Sequence, residues 1–170
     1  MPDLTHGPAD RLWAFSLSVY GRPGAAEACL LLQDRHGLDV NLGLFALWLG
    51  AGGQRLDDAT LAAARTAVEE WHRAAVVPLR NVRRFLKPLA GDAAVAALRN
   101  AVKATELEAE RLEQRRLAAL PPPAIRSPEA ADLPRTNLLR LLPTDLDDES
   151  HQAVALLAGL AASAVPGHEV

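Results

Sequence analysis

Residues 39–50, Asp-Val-Asn-Leu-Gly-Leu-Phe-Ala-Leu-Trp-Leu-Gly, limit what this chain can fold into more than any other stretch. After Asn41 the run is apolar on nearly every side of a helix, and a helix without a polar face is buried. It has 12 residues, fewer than the roughly 20 that a membrane-spanning helix requires. We therefore expect a buried central helix inside a domain, with polar residues at its N-terminal end.

The rest of the chain is predicted to form further helices. Apolar residues recur at helical spacing, no alternating pattern is long enough for a strand, and only 4% of residues are aromatic. Gly21 and Gly37 are placed to end helices, and Pro78 is placed to begin one. We predict an all-α, single-domain bundle of about six to seven helices around the central one. The other helices are expected at residues 9–20, 23–36, 58–75, 78–88, 92–119 and 145–164.

The C-terminal third of the chain differs from the rest in composition. Residues 121–143 contain six prolines, the first three of them consecutive, with leucines among them. Consecutive prolines end a helix because they remove backbone donors and clash with the preceding turn. We expect an extended, proline-rich strap that packs on the core through its leucines. The predicted divisions are a helical core domain at 9–120, the strap at 121–143, a C-terminal helix at 144–165 and loose ends at 1–8 and 166–170.

Two consecutive helices carry opposite charges. The helix at 78–88 has apolar residues on one side and basic residues on the other. The basic residues are Arg80, Arg83, Arg84 and Lys87. On the next helix Glu106, Glu110 and Glu113 form an acidic ridge, whose like charges repel one another unless basic groups lie nearby. The pattern indicates internal ion pairs or a solvated face, or alternatively a site in which the two charge sets hold a ligand.

A second polar group, the polar joint at residues 33–41, precedes the central helix. Asp39 or Asn41 can accept the free N–H groups at the start of that helix. Asp34 lies near a helix C-terminus, where the dipole disfavours a carboxylate, so it should have a partner such as an arginine from another helix. Carboxylates such as Asp34, Asp39, Glu106 and Glu110 can bind hard metal ions. However, Glu69-x-x-His72 is the only Glu-x-x-His pair in the sequence, whereas a carboxylate-bridged di-iron site requires two, and the five histidines have no metal-ligand spacing, so we predict no metal and no cofactor.

The aromatic residues are concentrated in the first half of the chain. Core packing is the simpler explanation, and the alternative is a pocket for a flat or hydrophobic ligand. The candidate lining residues are Trp13, Tyr20, Trp48, Trp71 and His72. His72 is expected to be a hydrogen-bonded histidine of the core or its rim rather than a catalytic base.

Several function classes have no support in the sequence. No G-x-S-x-G motif is present, and Gly50-Ala-Gly-Gly53 follows a helix rather than a strand, so no catalytic residue and no phosphate loop is predicted. A net charge of −3 and a single basic stripe argue against nucleic acid as a partner. Cys29 is the only cysteine and lies in an apolar run, which predicts a buried, inert thiol. Since no signal peptide and no membrane span are evident, we expect a cytoplasmic protein.

Two stretches of the chain form a recognisable pattern: Leu-Trp-x-Phe-Ser-Leu-x-x-Tyr-Gly at 12–21 and Cys-Leu-x-Leu-Gln-Asp-x-x-Gly-x-Asp-Val-Asn-Leu-x-Leu at 29–44. This pattern resembles that of a family of small proteobacterial proteins of unknown function. Pro-Leu-Arg-x-x-Arg at 78–83 and Glu-Leu-x-x-Glu-Arg at 106–111 fit the same pattern, so the resemblance covers roughly residues 9–120. The family has no assigned activity. The resemblance implies that one polar constellation contains Asp34, Asp39, Asn41, Arg80, Arg83, Glu106 and Glu110.

These features predict a non-enzymatic bacterial protein that works by binding a protein partner or by self-association. The strap and the final helix are the expected docking elements. The alternative is a binding protein or enzyme for a small anionic or hydrophobic molecule, which would use the polar constellation and the aromatic pocket. Geometry separates the two: fully paired charges closed to solvent favour a structural role, whereas an open cleft with an unpaired carboxylate of shifted pKa favours a ligand site.

Overall fold

The computed structural model describes residues 7–126 and 132–164 of the chain. Of the loose ends expected at 1–8 and 166–170, residues 1–6 and 166–170 lie outside the described residues, and Pro8 is already part of the first helix. Within the described part the protein is all-α, and its one strand-like pairing is an isolated bridge between Gln54 and Arg126. The helices are α1 (Pro8–Tyr20), α2 (Ala25–His36), α3 (Val40–Ala51), α4 (Asp58–Trp71), α5 (Val77–Leu86), α6 (Ala93–Ala118), α7 (Leu133–Leu139) and α8 (Asp148–Ala164).

A π turn at His72–Val76 joins α4 to α5, so these two helices form one continuous segment. The sequence predicted two separate helices here, with Pro78 at the start of the second. Pro78 does lie in the first turn of α5, where a missing N–H is tolerated. The chain stays helical through the junction because the Val77 N–H bonds to the His72 carbonyl. Counted in this way, the described chain has seven helical segments, which confirms the predicted bundle.

α3 is the central helix, as predicted. Every residue from 41 to 47 is buried, and α3 contacts α1, α6, α7 and α8. Leu44 and Leu47 pack in one hydrophobic cluster with residues of α2 and α8, whereas Phe45 and Leu49 pack in a second cluster with residues of α4 and α6. Asp39 caps the helix, because its Oδ1 accepts from the two backbone N–H groups of residues 41 and 42. The polar joint therefore lies at the N-terminal edge of this core.

Part of the expected extended strap is a helix. Residues 133–139 form α7, and residues 127–131 lie outside the described residues. Pro134 lies in the first turn of α7, so it does not oppose helix formation. Leu138 is fully buried in the cluster that contains Leu44 and Leu47. The leucine-mediated packing was predicted, but the helical conformation was not.

α5 turns its charged side toward the protein and much of its apolar side toward solvent. An amphipathic helix normally buries its apolar side. Here Phe85 is 70% exposed and Val82 is 45% exposed, whereas Arg80 is only 8% exposed. The reason is that α5 packs on α6, whose acidic ridge forms ion pairs with the arginines of α5. On α6, Leu98 near the N-terminal end is likewise exposed.

Candidate functional site

A cavity of about 350 Å³ lies between α1, α2, α3, α5 and α6. Four large apolar side chains at its edge are 42% to 52% exposed, and we call them the apolar rim. They are Leu17, Tyr20, Leu30 and Leu107. Trp13, Val40 and Leu44 add further apolar surface inside. The cavity therefore offers an apolar wall that is open to solvent along its rim.

A second wall of the cavity carries ion pairs between α5 and α6, in which Arg80 and Glu106 are buried. Arg80 Nε lies 3.4 Å from Glu106 Oε1, and Arg80 Nη2 lies 3.1 Å from Glu110 Oε1. Arg83 binds Glu106 through both Nε and Nη2. Burial raises the pKa of the Glu110 carboxyl above its ordinary value, and the charge of Glu106 adds to the rise, although Arg80 opposes it. Two of the three carboxylates of the acidic ridge, Glu106 and Glu110, are thus paired with arginines.

The cavity has an excess of positive charge. Arg80, Arg83 and Lys103 line it together with Glu106 and Glu110, which gives a formal charge of +1. Lys103 is exposed and forms no ion pair with any residue that the structure describes. A negatively charged group entering the cavity would therefore meet a cation that has no carboxylate partner among the described residues.

A chain of buried hydrogen bonds lines a further part of the cavity, which we call the cavity floor. Ser16 Oγ donates to Gln114 Oε1, Gln114 Nε2 donates to Asn41 Oδ1, and Asn41 Nδ2 donates to Glu113 Oε2, each at 2.9 Å. The first three of these side chains line the cavity, and all four are buried. Because each amide is bonded at both ends, the chain fixes the positions of the floor atoms.

The hydrogen-bond chain ends in a cluster of one histidine and two carboxylates. His72 Nδ1 lies 3.1 Å from Glu113 Oε1 and 3.2 Å from Asp39 Oδ2. Burial raises the pKa of Asp39 to about 7, and the hydrogen bond to Glu113 and its charge contribute to the rise. Burial lowers the pKa of His72, but the hydrogen bond to Glu113 and the negative charges of Asp39 and Glu113 outweigh it, so the net shift is upward. We call these three residues the His–carboxylate cluster.

The structure divides the predicted polar constellation into three places. The residues that line the cavity are Asn41, Arg80, Arg83, Glu106 and Glu110. Asp39 lies in the neighbouring His–carboxylate cluster. Asp34 lies at the surface, where Arg84 on α5 is its partner at 3.2 Å and lowers its pKa by hydrogen bonding. An arginine partner for Asp34 was predicted.

The predicted aromatic lining is also divided. Trp13 and Tyr20 line the cavity, but Trp48, Trp71 and His72 do not. The Trp48 ring packs near Phe45 at a centroid distance of 6.2 Å. Trp71 donates from Nε1 to the Ala109 carbonyl and lies under the Arg116 guanidinium. These two tryptophans thus have structural partners away from the cavity.

Sequence reasoning missed the residues that connect the two sites. Glu113 was noted only as part of the acidic ridge, yet its partners are Asn41 and His72 rather than arginines. Ser16 and Gln114 were not considered together, although each is a buried polar residue. The sequence signal for such residues was a polar side chain within an apolar stripe. This signal does not identify the hydrogen-bond partner, because Ser16 and Gln114 are 98 residues apart in the chain.

Fold and site together define an all-α bundle with a cavity of mixed charge beside a partly buried His–carboxylate cluster. The chain belongs to the family described as "Protein of unknown function (DUF2390)", whose model matches residues 11–117. The match contains every residue that lines the cavity and all three members of the cluster. The comparisons with curated proteins and with solved structures gave no match. In the part of the chain that the structure describes, no helix combines the length and the apolar character needed to cross a membrane.

Proposed function

We propose that this protein binds a small organic acid whose anionic group lies at the Lys103 side of the cavity and whose apolar body contacts the apolar rim. The observation that carries the proposal is a cavity of about 350 Å³ with apolar walls, a formal charge of +1 and a cation without an ion-pair partner among the described residues. This volume lies within the range of roughly 300–1,000 Å³ that is typical of small-molecule sites.

The arrangement of charge favours an anion over a neutral ligand. The arginines already bind glutamates, so Lys103 is the cation that can bind a ligand carboxylate without breaking an existing pair. Ser16, Asn41 and Gln114 supply fixed polar atoms on the cavity floor. The paired glutamates support a structural role for that wall, whereas the open cavity and the raised pKa of Glu110 support a ligand site. We give greater weight to the open cavity, because ion pairs alone do not require one.

The proposal is tested with a panel of aromatic and aliphatic carboxylic acids and the matching primary amides. Native mass spectrometry and titration calorimetry should show binding of at least one acid in preference to its amide. Lys103→Glu should weaken that binding by about tenfold, which corresponds to about 1.4 kcal/mol, because it replaces an attraction with a repulsion.

The matched control is Lys87→Glu, which changes the only other lysine of the chain and lies outside the cavity. It should bind the acid as the unaltered protein does. Failure of every acid in the panel to bind, or equal affinity in the two variants, would contradict the proposed site.

A second candidate function is self-association, supported by exposed apolar residues on α5 and just after it. Val82 and Phe85 of α5 and the following Leu89 lie three and four residues apart and are each at least 45% exposed. The strap and α8 were the expected docking elements, but Leu138, Val154 and Leu157 of α7 and α8 are buried in the core. Sedimentation velocity should show a mass that rises with concentration and that Phe85→Ser, but not Leu156→Ser on α8, reduces to the monomer mass. A monomer at every concentration would rule this function out.

A further inference from the structure

The His–carboxylate cluster brings together three side chains from separate parts of the bundle. Asp39 precedes α3, His72 begins the π turn after α4, and Glu113 lies in the C-terminal half of α6. Each offers one ligand atom, and these atoms all lie within 4.8 Å of one another. We propose that Asp39, His72 and Glu113 bind one divalent transition-metal ion of the zinc class, independently of the organic acid proposed above.

The distances in the cluster suit an ion at its centre. His72 Nδ1 lies 3.2 Å from Asp39 Oδ2 and 3.1 Å from Glu113 Oε1. Ligand atoms about 2.0–2.2 Å from zinc are roughly 3.0–3.4 Å from one another when the bond angles lie between 90° and the tetrahedral value. All three ligand atoms lie within 4.8 Å of one another, so an ion would fit once the two carboxylates adjust to this spacing.

In each carboxylate, one oxygen accepts a hydrogen bond from the start of α3. Asp39 Oδ1 accepts from the backbone N–H groups of Asn41 and Leu42, which leaves Oδ2 for the ion. Glu113 Oε2 accepts from Asn41 Nδ2, which leaves Oε1. Hydrogen bonds of this kind orient the ligands of metal sites. Single-turn π bulges inside helices are frequent at functional sites, and this one contains His72.

Donor type and charge indicate the class of ion. An imidazole nitrogen with carboxylate oxygens suits zinc and its neighbours, whereas calcium and magnesium prefer oxygen ligands alone. No lysine or arginine pairs with Asp39 or Glu113 in the part of the chain that is described, so two carboxylates lie close together with one imidazole. A doubly charged cation with a neutral imidazole would balance their charge.

The site is open on one side. The side chains of Asp39 and His72 are 14% and 20% exposed, whereas Glu113 is fully buried. An ion could enter from solvent, and water could complete its coordination. Three protein ligands with an open position are the arrangement of catalytic rather than structural zinc sites.

The test is calorimetric titration of the full chain with Zn²⁺ after chelator treatment and dialysis, with Co²⁺ absorption as a second readout. One Zn²⁺ should bind per chain. His72→Gln should weaken binding by more than about a hundredfold, and Asn41→Ala by about 10- to 100-fold, the range for partners of ligands. His36→Gln is the matched control, because His36 bonds to Ser150 away from the cluster, and it should leave the affinity unchanged.

Asp39→Asn is a second ligand variant that is expected to remain folded, since an asparagine can still cap α3 but is a poorer metal ligand. It should also abolish tight binding. Absence of Zn²⁺ binding by the unaltered protein would overturn the proposal. So would equal binding by His72→Gln and the unaltered protein, because the ion would then lie elsewhere.

Discussion

Glu113 is a fully buried carboxylate at the meeting point of the cavity floor and the His–carboxylate cluster. Burying an ionised carboxylate costs several kcal/mol unless hydrogen bonds and an opposite charge compensate it. Asn41 and His72 both contact its oxygens, at 2.9 Å and 3.1 Å. Because these contacts come from α3 and from the turn after α4, one residue of α6 fixes the positions of two other segments.

Asp147 is a residue whose ionisation should influence acid stability. Its carboxylate accepts from the Ser150 backbone N–H at the start of α8 and pairs with Arg35 at the end of α2. The Ser150 and Arg35 hydrogen bonds lower its pKa from 3.8 to about 2. A lowered pKa means that the folded state favours the ionised form, so this stabilisation is present above pH 4 and is lost as pH falls through about 2.

We predict that Asp147→Asn lowers the melting temperature at pH 7 and that the variant loses less stability than the unaltered protein between pH 4 and pH 2. The measurement is thermal unfolding followed by circular dichroism across this pH range. Asp148→Asn is the control and should keep the unaltered profile, since Asp148 has no ion pair among the described residues. Parallel pH profiles for Asp147→Asn and the unaltered protein would contradict the assignment.

At the scale of elements, α7 is attached to α3 by close backbone approach and by one buried amide. Asn137 Nδ2 donates to the carbonyls of Ala46 and Gln54, and its Oδ1 accepts from the Leu56 N–H. Gly50 allows the approach, because a Cβ there would lie 2.5 Å from the Pro134 nitrogen. The strap region therefore contributes a structural helix.

Gly50→Ala should destabilise the protein by roughly 1–3 kcal/mol, the usual cost of overpacking, because the backbone of α7 would have to move. Chemical denaturation gives the free energy of unfolding. Gly159→Ala is the matched control in α8, where a Cβ meets nothing within 4 Å and alanine favours a helix by about 0.5–1 kcal/mol. If Gly50→Ala were as stable as the unaltered protein, the close packing of α7 on α3 would be wrong.

Local features of the fold could be predicted from the sequence, and features that depend on distant partners could not. Gly37 ends α2 in the left-handed conformation and Asp39 caps α3, both as expected, because caps depend on a few adjacent residues. α7 was missed because its prolines were taken to exclude a helix, although Pro134 occupies a tolerated position. The exposed side of α5 was missed because periodicity describes the faces of a helix but does not determine which face is buried.

In the candidate site, too, contacts between residues far apart in the chain could not be predicted from the sequence. Pairing between the basic stripe and the acidic ridge followed from two neighbouring helices with opposite charges. The partners of Glu113 are 41 and 72 residues away in the chain, so only the folded structure brings them together. The division of the predicted constellation into a cavity, a cluster and a surface pair also depends on tertiary packing.

At the scale of the molecule, the buried α3 contributes residues to both proposed sites of the bundle. Its apolar residues connect the two hydrophobic clusters, and α7 and α8, which follow the family match, cover it on one side. Its N-terminal end places Asn41 in the cavity wall and Asp39 in the His–carboxylate cluster. The proposed ligand site and the proposed metal site are therefore neighbours on one rigid element.

The most direct test of the proposed organic-acid site is a crystal structure of the protein with the tightest-binding acid of the panel. We predict that the ligand carboxylate lies within hydrogen-bond distance of Lys103 Nζ and that its apolar part contacts Trp13 and the apolar rim. The glutamate–arginine pairs between α5 and α6 should remain intact. An acid bound elsewhere, or bound in the cavity with its carboxylate away from Lys103, would show that the proposed organic-acid site is wrong.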